Sequence, residues 1–357
     1  MAPSSPGIDQ VASEARVMED ETWESLLPSL LAKPGMAAAS IVEVSPLAGG
    51  VSSDIVRVRL SDGSAIVAKR ALRQLRVADE WRVPLERNHY EIGWFKRANA
   101  IVPGSAPAVL GEDRERGIAL LSYLPPDQYS LWKTDLLAGR TDPHVARRVA
   151  DTIGRIHRAT LRDPEVAAEF PTDDLFDALR LDPYLRTTAA RHPEIAGRML
   201  ACLDATRSAK VALVHGDLSP KNIFVSRADG HPVILDAECA WYGDPVFDLA
   251  FCLNHLLLKA IHMPQLAEPL LSEARDFFGV WLEHFPADMH GELEGRAATL
   301  LPCLMLARVD GKSPVEYLTR QSQQVVRDIA IPLIREPRSK IAEVVDEAAN
   351  RQGTYRA

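Results

Sequence analysis

A chain of 357 residues, 46% hydrophobic and 25% charged, has the length for two lobes and the apolar content for a substantial core. Its formal net charge of -8 argues against nucleic acid as a partner, because phosphate backbones recruit basic surfaces. Met1-Ala-Pro-Ser-Ser-Pro-Gly7 shows no basic stretch running into an apolar core, so no secretory signal is expected and a cytoplasmic location is predicted.

In chain order, residues 1–37 read as an extension rich in Pro, Ser and acidic residues, with one short amphipathic helix from Trp23 to Leu31. Ile41 to Val44, Ile55 to Leu60 and Ala65 to Lys69 are short and β-branched. They are separated by Gly49-Gly50 and by Ser61-Asp-Gly-Ser64, which predicts an antiparallel meander. A helix is expected from Pro84 to Ala98, then strands at Val109 to Gly111 and Ile118 to Tyr123. Leu124-Pro-Pro-Asp127 stops the last strand and can stiffen a hinge. Residues 38–124 therefore form an expected small sheet lobe and residues 125–357 a mainly helical one, an α+β arrangement with a ligand expected in the crevice between lobes.

Helices in the second lobe are predicted at Pro143 to Ala159, Pro193 to Ser208, Val246 to Ala260, Leu266 to His284 and Met289 to Arg308. The most apolar long stretch, Val246 to Met263, carries Asp248, Asn254, His255 and Lys259, which suits a buried helix better than a membrane span. Cys202, Cys239, Cys252 and Cys303 lack metal-type spacing and are expected to be reduced packing residues.

The densest chemistry lies in Leu213-Val-His-Gly-Asp-Leu-Ser-Pro-Lys-Asn-Ile-Phe-Val225, followed by Asp236 in Val-Ile-Leu-Asp-Ala-Glu238. Apolar runs at Ala212 to Val214, Ile223 to Val225 and Val233 to Leu235 predict short strands that hold the polar residues at their ends. Phosphoryl transfer from Mg-ATP needs one carboxylate to receive a hydroxyl proton and further oxygens to hold the metal against the phosphates. Asp217 fits the first role. Asn222 and Asp236 fit the second, since magnesium takes a few hard oxygen ligands and keeps its other positions for phosphate and water.

Upstream, Gly49 and Gly50 would let the backbone approach phosphates, with Ser52 and Ser53 adding donors. Lys69, at the end of a strand, would aim an ammonium at the α and β phosphates. Glu91 is its expected partner, with Glu86 and Glu80 as rivals, and Ser122, Tyr123 and Leu124 would offer backbone groups to the adenine edge. Glu238, Trp241, Asn254, His255 and Arg308 are candidate contacts to the acceptor. His215 and Asp248 are expected to be structural, Asp248 by accepting backbone hydrogen bonds from the loop.

These residues together resemble the aminoglycoside phosphotransferase and choline kinase superfamily over roughly Val44 to Ala260. The resemblance implies a two-lobed protein-kinase-like fold, ATP and Mg2+, Asp217 as catalytic base, Asn222 and Asp236 as metal ligands, and Lys69 with Glu91 as the nucleotide-positioning pair. Lys69 to Trp81, Asp236-Ala-Glu-Cys-Ala-Trp-Tyr-Gly243 and Asn254-His-Leu-Leu-Leu258 further resemble 5-methylthioribose kinases. The chain departs from those kinases at Lys221-Asn222, where they usually carry Gly-Ser, and in having Arg308 where they have paired arginines.

The expected protein is a kinase for a hydroxyl of a small polar acceptor, aminoglycoside-, choline- or sugar-like, working as monomer or homodimer. The alternatives are a methylthioribose-type sugar kinase and a nucleotide-binding regulatory pseudokinase, whose signature would be a missing catalytic or metal residue. A protein kinase fits less well, because the interval from Asp236 to Asp248 is short for an activation and peptide-docking segment.

Overall fold

A computed structural model describes residues 22–31, 40–47, 53–72 and 86–354. The chain divides into two compact units, Met1–Ile92 with Ala108–Tyr123 and Gly93–Pro107 with Leu124–Ala357.

The first unit holds five antiparallel strands, β1 (Ile41–Pro46), β2 (Ser53–Leu60), β3 (Ala65–Ala71), β4 (Val109–Asp113) and β5 (Ile118–Ser122), in the order β1-β2-β3-β5-β4. The meander expected from the sequence holds for the first three strands. Beyond β3 the order inverts, because β5 is apolar on both faces and takes the inner place, while β4, with Glu112 and Asp113, is left on the edge. Helix α1 (Trp23–Leu31) closes one face of the sheet. Trp23, Leu26, Leu27 and Leu30 pack with Val56, Val58, Leu60, Ile66, Ile118 and Leu120 in one buried cluster, and the Trp23 indole donates to Asp54 at 2.9 Å. Helix α2 (Arg87–Ile101) follows β3 and runs one turn past the predicted end; Pro84, its expected start, lies outside the described residues.

The second unit is built on α3 (Pro143–Ala159), α4 (Ala196–Ser208), α5 (Pro245–His262), α6 (Ala267–Leu282), α7 (His290–Asp310), α8 (Arg320–Arg335) and α9 (Ile341–Thr354). Asp142 and Asp244 cap α3 and α5 through the amides of His144 and Val246, each followed by a proline whose missing N–H costs nothing in the first turn. Every residue from Pro245 to Ile261 is buried, as its apolar run with embedded polar residues predicts. Among the described residues no helix is long and apolar enough to cross a membrane. All four cysteines are free thiols in buried positions.

Short strands carry the loops. Strands β6 (Tyr129–Leu131), β8 (Ile223–Ser226) and β9 (Pro232–Ile234) form one small sheet, and β7 (Ala212–Val214) pairs with β10 (Trp241–Gly243) in another. Between α3 and α4 the segment Asp177–Arg186 winds as a wide π-helix around Pro183. No element was expected there, and a winding of this kind tends to mark a functional region.

Among the buried groups of this unit that lack hydrogen-bond partners is a carboxyl. Glu273 of α6 is buried with neither carboxylate oxygen hydrogen-bonded, and burial, with Asp142 and Asp276 nearby, pushes its carboxyl up to about 7. The native state therefore holds a proton that the unfolded chain releases from about pH 4.5 upward, so this group's contribution to stability falls as pH rises from there to about 7. Glu273→Gln removes the dependence. Thermal unfolding should show the variant more stable than wild type at pH 8 and equal to it near pH 4; equal melting temperatures at pH 8 would contradict this.

Candidate active site

The loop after β7 is shaped by its glycine. Gly216 has φ +78, and a Cβ there would lie 2.4 Å from the Cys239 carbonyl oxygen, so no side chain fits. Asp248, in the first turn of α5, fixes this corner. Its carboxylate accepts the His215 amide at 2.7 Å and the Gly216 amide at 2.8 Å. It also meets His157 Nε2 at 3.1 Å, and since His157 Nδ1 accepts from the Trp281 indole, Nε2 carries the proton and donates. Both His215 ring nitrogens are engaged by backbone, Nδ1 accepting the Asp217 amide and Nε2 donating to the Leu235 carbonyl, with Trp94 packed edge-on against the ring. Burial pushes the His215 imidazole down in spite of the carboxylates around it.

Asp217 is 3% exposed and its two oxygens have different surroundings. Oδ2 receives Arg180 Nη2 at 3.1 Å, Lys221 Nζ at 3.0 Å and Asn222 Nδ2 at 2.9 Å. Oδ1 is buried without a hydrogen-bond partner. Burial alone would raise this carboxyl, but the charges of Arg180 and Lys221 outweigh it and hold the group below the usual carboxylate range. Arg180 comes from the π-helical segment, and it donates to the carbonyl of Leu179 within that segment and to the carbonyl of Gly216 in the loop after β7.

Asn222 closes a one-turn 3-10 helix, Pro220–Asn222, and its Nδ2 bonds both the carbonyl and the carboxylate of Asp217, while the Leu235 amide ties β9 back to the Asn222 carbonyl. Asp236 follows at φ +64, a left-handed conformation that L-residues adopt at a cost and that concentrates at functional sites. Its negative charge acts on Asp217, Lys221 and Arg180. Among the described residues no group of three or more His, Cys, Asp or Glu is arranged to hold a metal.

In the first unit, Lys69 of β3 lies opposite Ile55 of β2 and Ala119 of β5, in the middle of the sheet. Its ammonium pairs with Glu91 of α2 at 2.8 Å, both side chains being almost fully buried, which selects Glu91 over Glu86. The Ser122 amide donates to the Ala108 carbonyl, and its hydroxyl accepts the Ala108 amide. Ser53 is buried at the start of β2, and Gly49, Gly50, Ser52 and Glu80 lie outside the described residues.

The five candidate acceptor contacts separate. Trp241 belongs to a packed aromatic group: it stacks on Phe176 at 4.1 Å, donates to Asp173, and has the Lys210 ammonium over its ring. Glu238 is buried just after Asp236. Asn254 is fully buried with its amide unpartnered, and His255 and Arg308 join a cluster of cations and aromatic rings next to Arg180. Arg180 and Lys221 were not predicted. The i,i+4 spacing of Lys221 from Asp217 was a readable signal, whereas nothing local marks Arg180.

The family model described as "Phosphotransferase enzyme family" matches residues 43–284. The chain is 27% identical over 267 residues to methylthioribose kinase 1 of Oryza sativa subsp. japonica, covering 65% of this chain and 59% of that one, so it spans less than two thirds of that relative. Among solved structures, an ethanolamine kinase of Plasmodium vivax aligns with TM-score 0.55 and 12% identity over 94% of this chain and 98% of its own. An amicoumacin kinase in complex with AMP-PNP and Ca2+ aligns with TM-score 0.53 and 14% identity over 92% and 97%. These two likenesses establish a kinase-like fold.

Asp248→Ala would leave the His215 and Gly216 amides without their acceptor. Each such buried group costs about 1–3 kcal/mol, so denaturant unfolding should show a loss of about 2–6 kcal/mol; a loss within experimental error would contradict the bracing role.

Proposed function

The chain belongs to the phosphotransferase enzyme family, and on that premise we propose that it transfers the γ-phosphate of Mg-ATP to a hydroxyl of a small polar acceptor. The observation that carries this reading is the asymmetry of Asp217. Three donors hold Oδ2, while the buried Oδ1 has no partner and can take the acceptor's hydroxyl. Phosphoryl transfer has a loose transition state that asks little of the base beyond orientation, so a carboxylate kept below the usual range is adequate as a late proton acceptor. The hydroxyl donates to Oδ1, its oxygen attacks the γ-phosphorus, the bond from that phosphorus to the bridging oxygen of the β-phosphate breaks so that ADP leaves, and the hydroxyl proton passes to Oδ1.

The residues fit a magnesium ion. With Nδ2 engaged by Asp217, Asn222 has its amide oxygen to offer, and Asp236 offers a carboxylate, both hard ligands. A metal held there supplies positive charge to the phosphates. Lys69, oriented by Glu91, is the cation assigned to the α and β phosphates. The AMP-PNP and Ca2+ bound by the amicoumacin kinase support a nucleotide with a divalent ion. A sugar-like acceptor is favoured by the methylthioribose kinase relatives. Against methylthioribose itself stands Lys221, one of the positions where this chain departs from those kinases, whose ammonium sits directly on the Asp217 carboxylate.

Asp217→Asn should retain Mg-ATP binding by calorimetry and lose roughly 10²- to 10⁴-fold in turnover, the scale of general-base loss; undiminished turnover would refute the assignment. Arg180→Met removes a cation that holds Asp217 down, and burial then raises its pKa. The acid limb of the kcat/KM profile should therefore move to higher pH with the alkaline limb unchanged, and an unmoved acid limb would show that Arg180 does not tune the base.

A further inference from the structure

Two cations beyond Arg180 lack a counter-ion. Arg308, at the end of α7, is 8% exposed, and Lys259 of α5 is 1% exposed. Neither forms an ion pair among the described residues; the charge of Glu316 reaches both, but its carboxylate is bonded to Lys133, and Asp217 is held by Arg180 and Lys221. Their partners are neutral. Arg308 donates to the Tyr184 hydroxyl at 3.1 Å, to the Ser313 hydroxyl at 2.9 Å and to the Ser313 carbonyl, and lies over the Tyr184 ring. Lys259 reaches the His255 carbonyl at 3.5 Å and lies over the Tyr317 ring at 5.2 Å.

An isolated buried charge costs several kcal/mol, and a guanidinium cannot relieve the cost by losing its proton. The same cluster leaves three polar groups without hydrogen bonds: Arg308 Nε, His255 Nε2 and the Tyr317 hydroxyl. Burial and the positive field of Arg308, Lys259, Lys221 and Lys133 hold His255 well below its usual pKa, and burial brings Lys259 down to about 7. Positive potential and unfilled donors thus coincide, and they lie close to Asp217. Arg180, which grips Asp217, lies over the Tyr184 ring, whose hydroxyl receives Arg308.

We propose that the acceptor is an anionic hydroxylated small molecule, whose carboxylate or phosphate docks on Arg308 and Lys259 while its hydroxyl meets Asp217. This rests on the kinase reading for the fate of the hydroxyl, but the anion site is testable without nucleotide or turnover. A cationic acceptor such as an aminoglycoside or choline is disfavoured by the same charges. The missing counter-ion is then the substrate's own, and charge selects it.

The test is thermal unfolding of the full chain, without nucleotide and at constant ionic strength, titrated with gluconate, glucose 6-phosphate, glucose, choline and kanamycin. Saturable stabilisation by gluconate or glucose 6-phosphate but not by glucose is expected, and which of the two acts separates carboxylate from phosphate. In Arg308→Gln the midpoint should weaken by roughly tenfold or more, the loss of one charge-assisted hydrogen bond. Lys259→Met serves if Arg308→Gln does not fold. Stabilisation by choline or kanamycin in preference to the anions, anion binding indifferent to Arg308 and Lys259, or no response to either anion would overturn the proposal. The kinase reading fails separately, through undiminished turnover in Asp217→Asn.

Discussion

The carboxylate of Asp248 is the point on which the second unit's chemistry depends. Two backbone amides, His215 and Gly216, have no other acceptor at the corner where the chain leaves β7, and a glycine at φ +78 can hold that corner only while something fixes its amide. Asp248 does so from the first turn of α5, and α5 is in turn buried from Pro245 to Ile261. The line continues through His157 to the indole of Trp281, so a charged group at the centre of the unit is fully satisfied by neutral donors from three directions. Everything downstream, from the Asp217 amide on His215 Nδ1 to Asn222 on Asp217, inherits its position from that anchor.

Around Asp217 the balance of charge is as informative as the geometry. Burial works against a carboxylate, and Arg180 and Lys221 reverse it while binding only one of its oxygens. The result is a carboxylate with one oxygen held by three donors and the other buried without a partner, the asymmetry that orienting a hydroxyl requires. Deeper in, the balance is left incomplete at Arg308 and Lys259, where aromatic faces and neutral oxygens take the place of carboxylates.

Much of this was legible in the sequence because it is local. Short β-branched runs bounded by Gly and Asp gave β1 to β3; spacing within His215 to Asn222 and at Asp236 gave the loop; and an acid one helix beyond Lys69 gave the ion pair that the structure forms with Glu91. What could not be read is non-local. Arg180 lies 37 residues before Asp217 in a segment whose π winding has no sequence signature around Pro183. The inner place of β5 depends on which strand can be buried on both faces. Helices α8 and α9 went unpredicted. Trp241, expected as an acceptor contact, has its ring and N–H engaged by Phe176, Lys210 and Asp173, partners distant in sequence that no local signal marks.

The central claim is that Asp217 directs phosphate from ATP onto a small-molecule hydroxyl. It is tested most directly by incubating the protein and a cellular small-molecule extract with ATP heavy-oxygen-labelled on the γ-phosphate, followed by mass spectrometry. A small molecule carrying the labelled phosphoryl group, formed by wild type and absent with Asp217→Asn, is the predicted result. Label found only in inorganic phosphate or on protein, or a labelled product undiminished in Asp217→Asn, would contradict it.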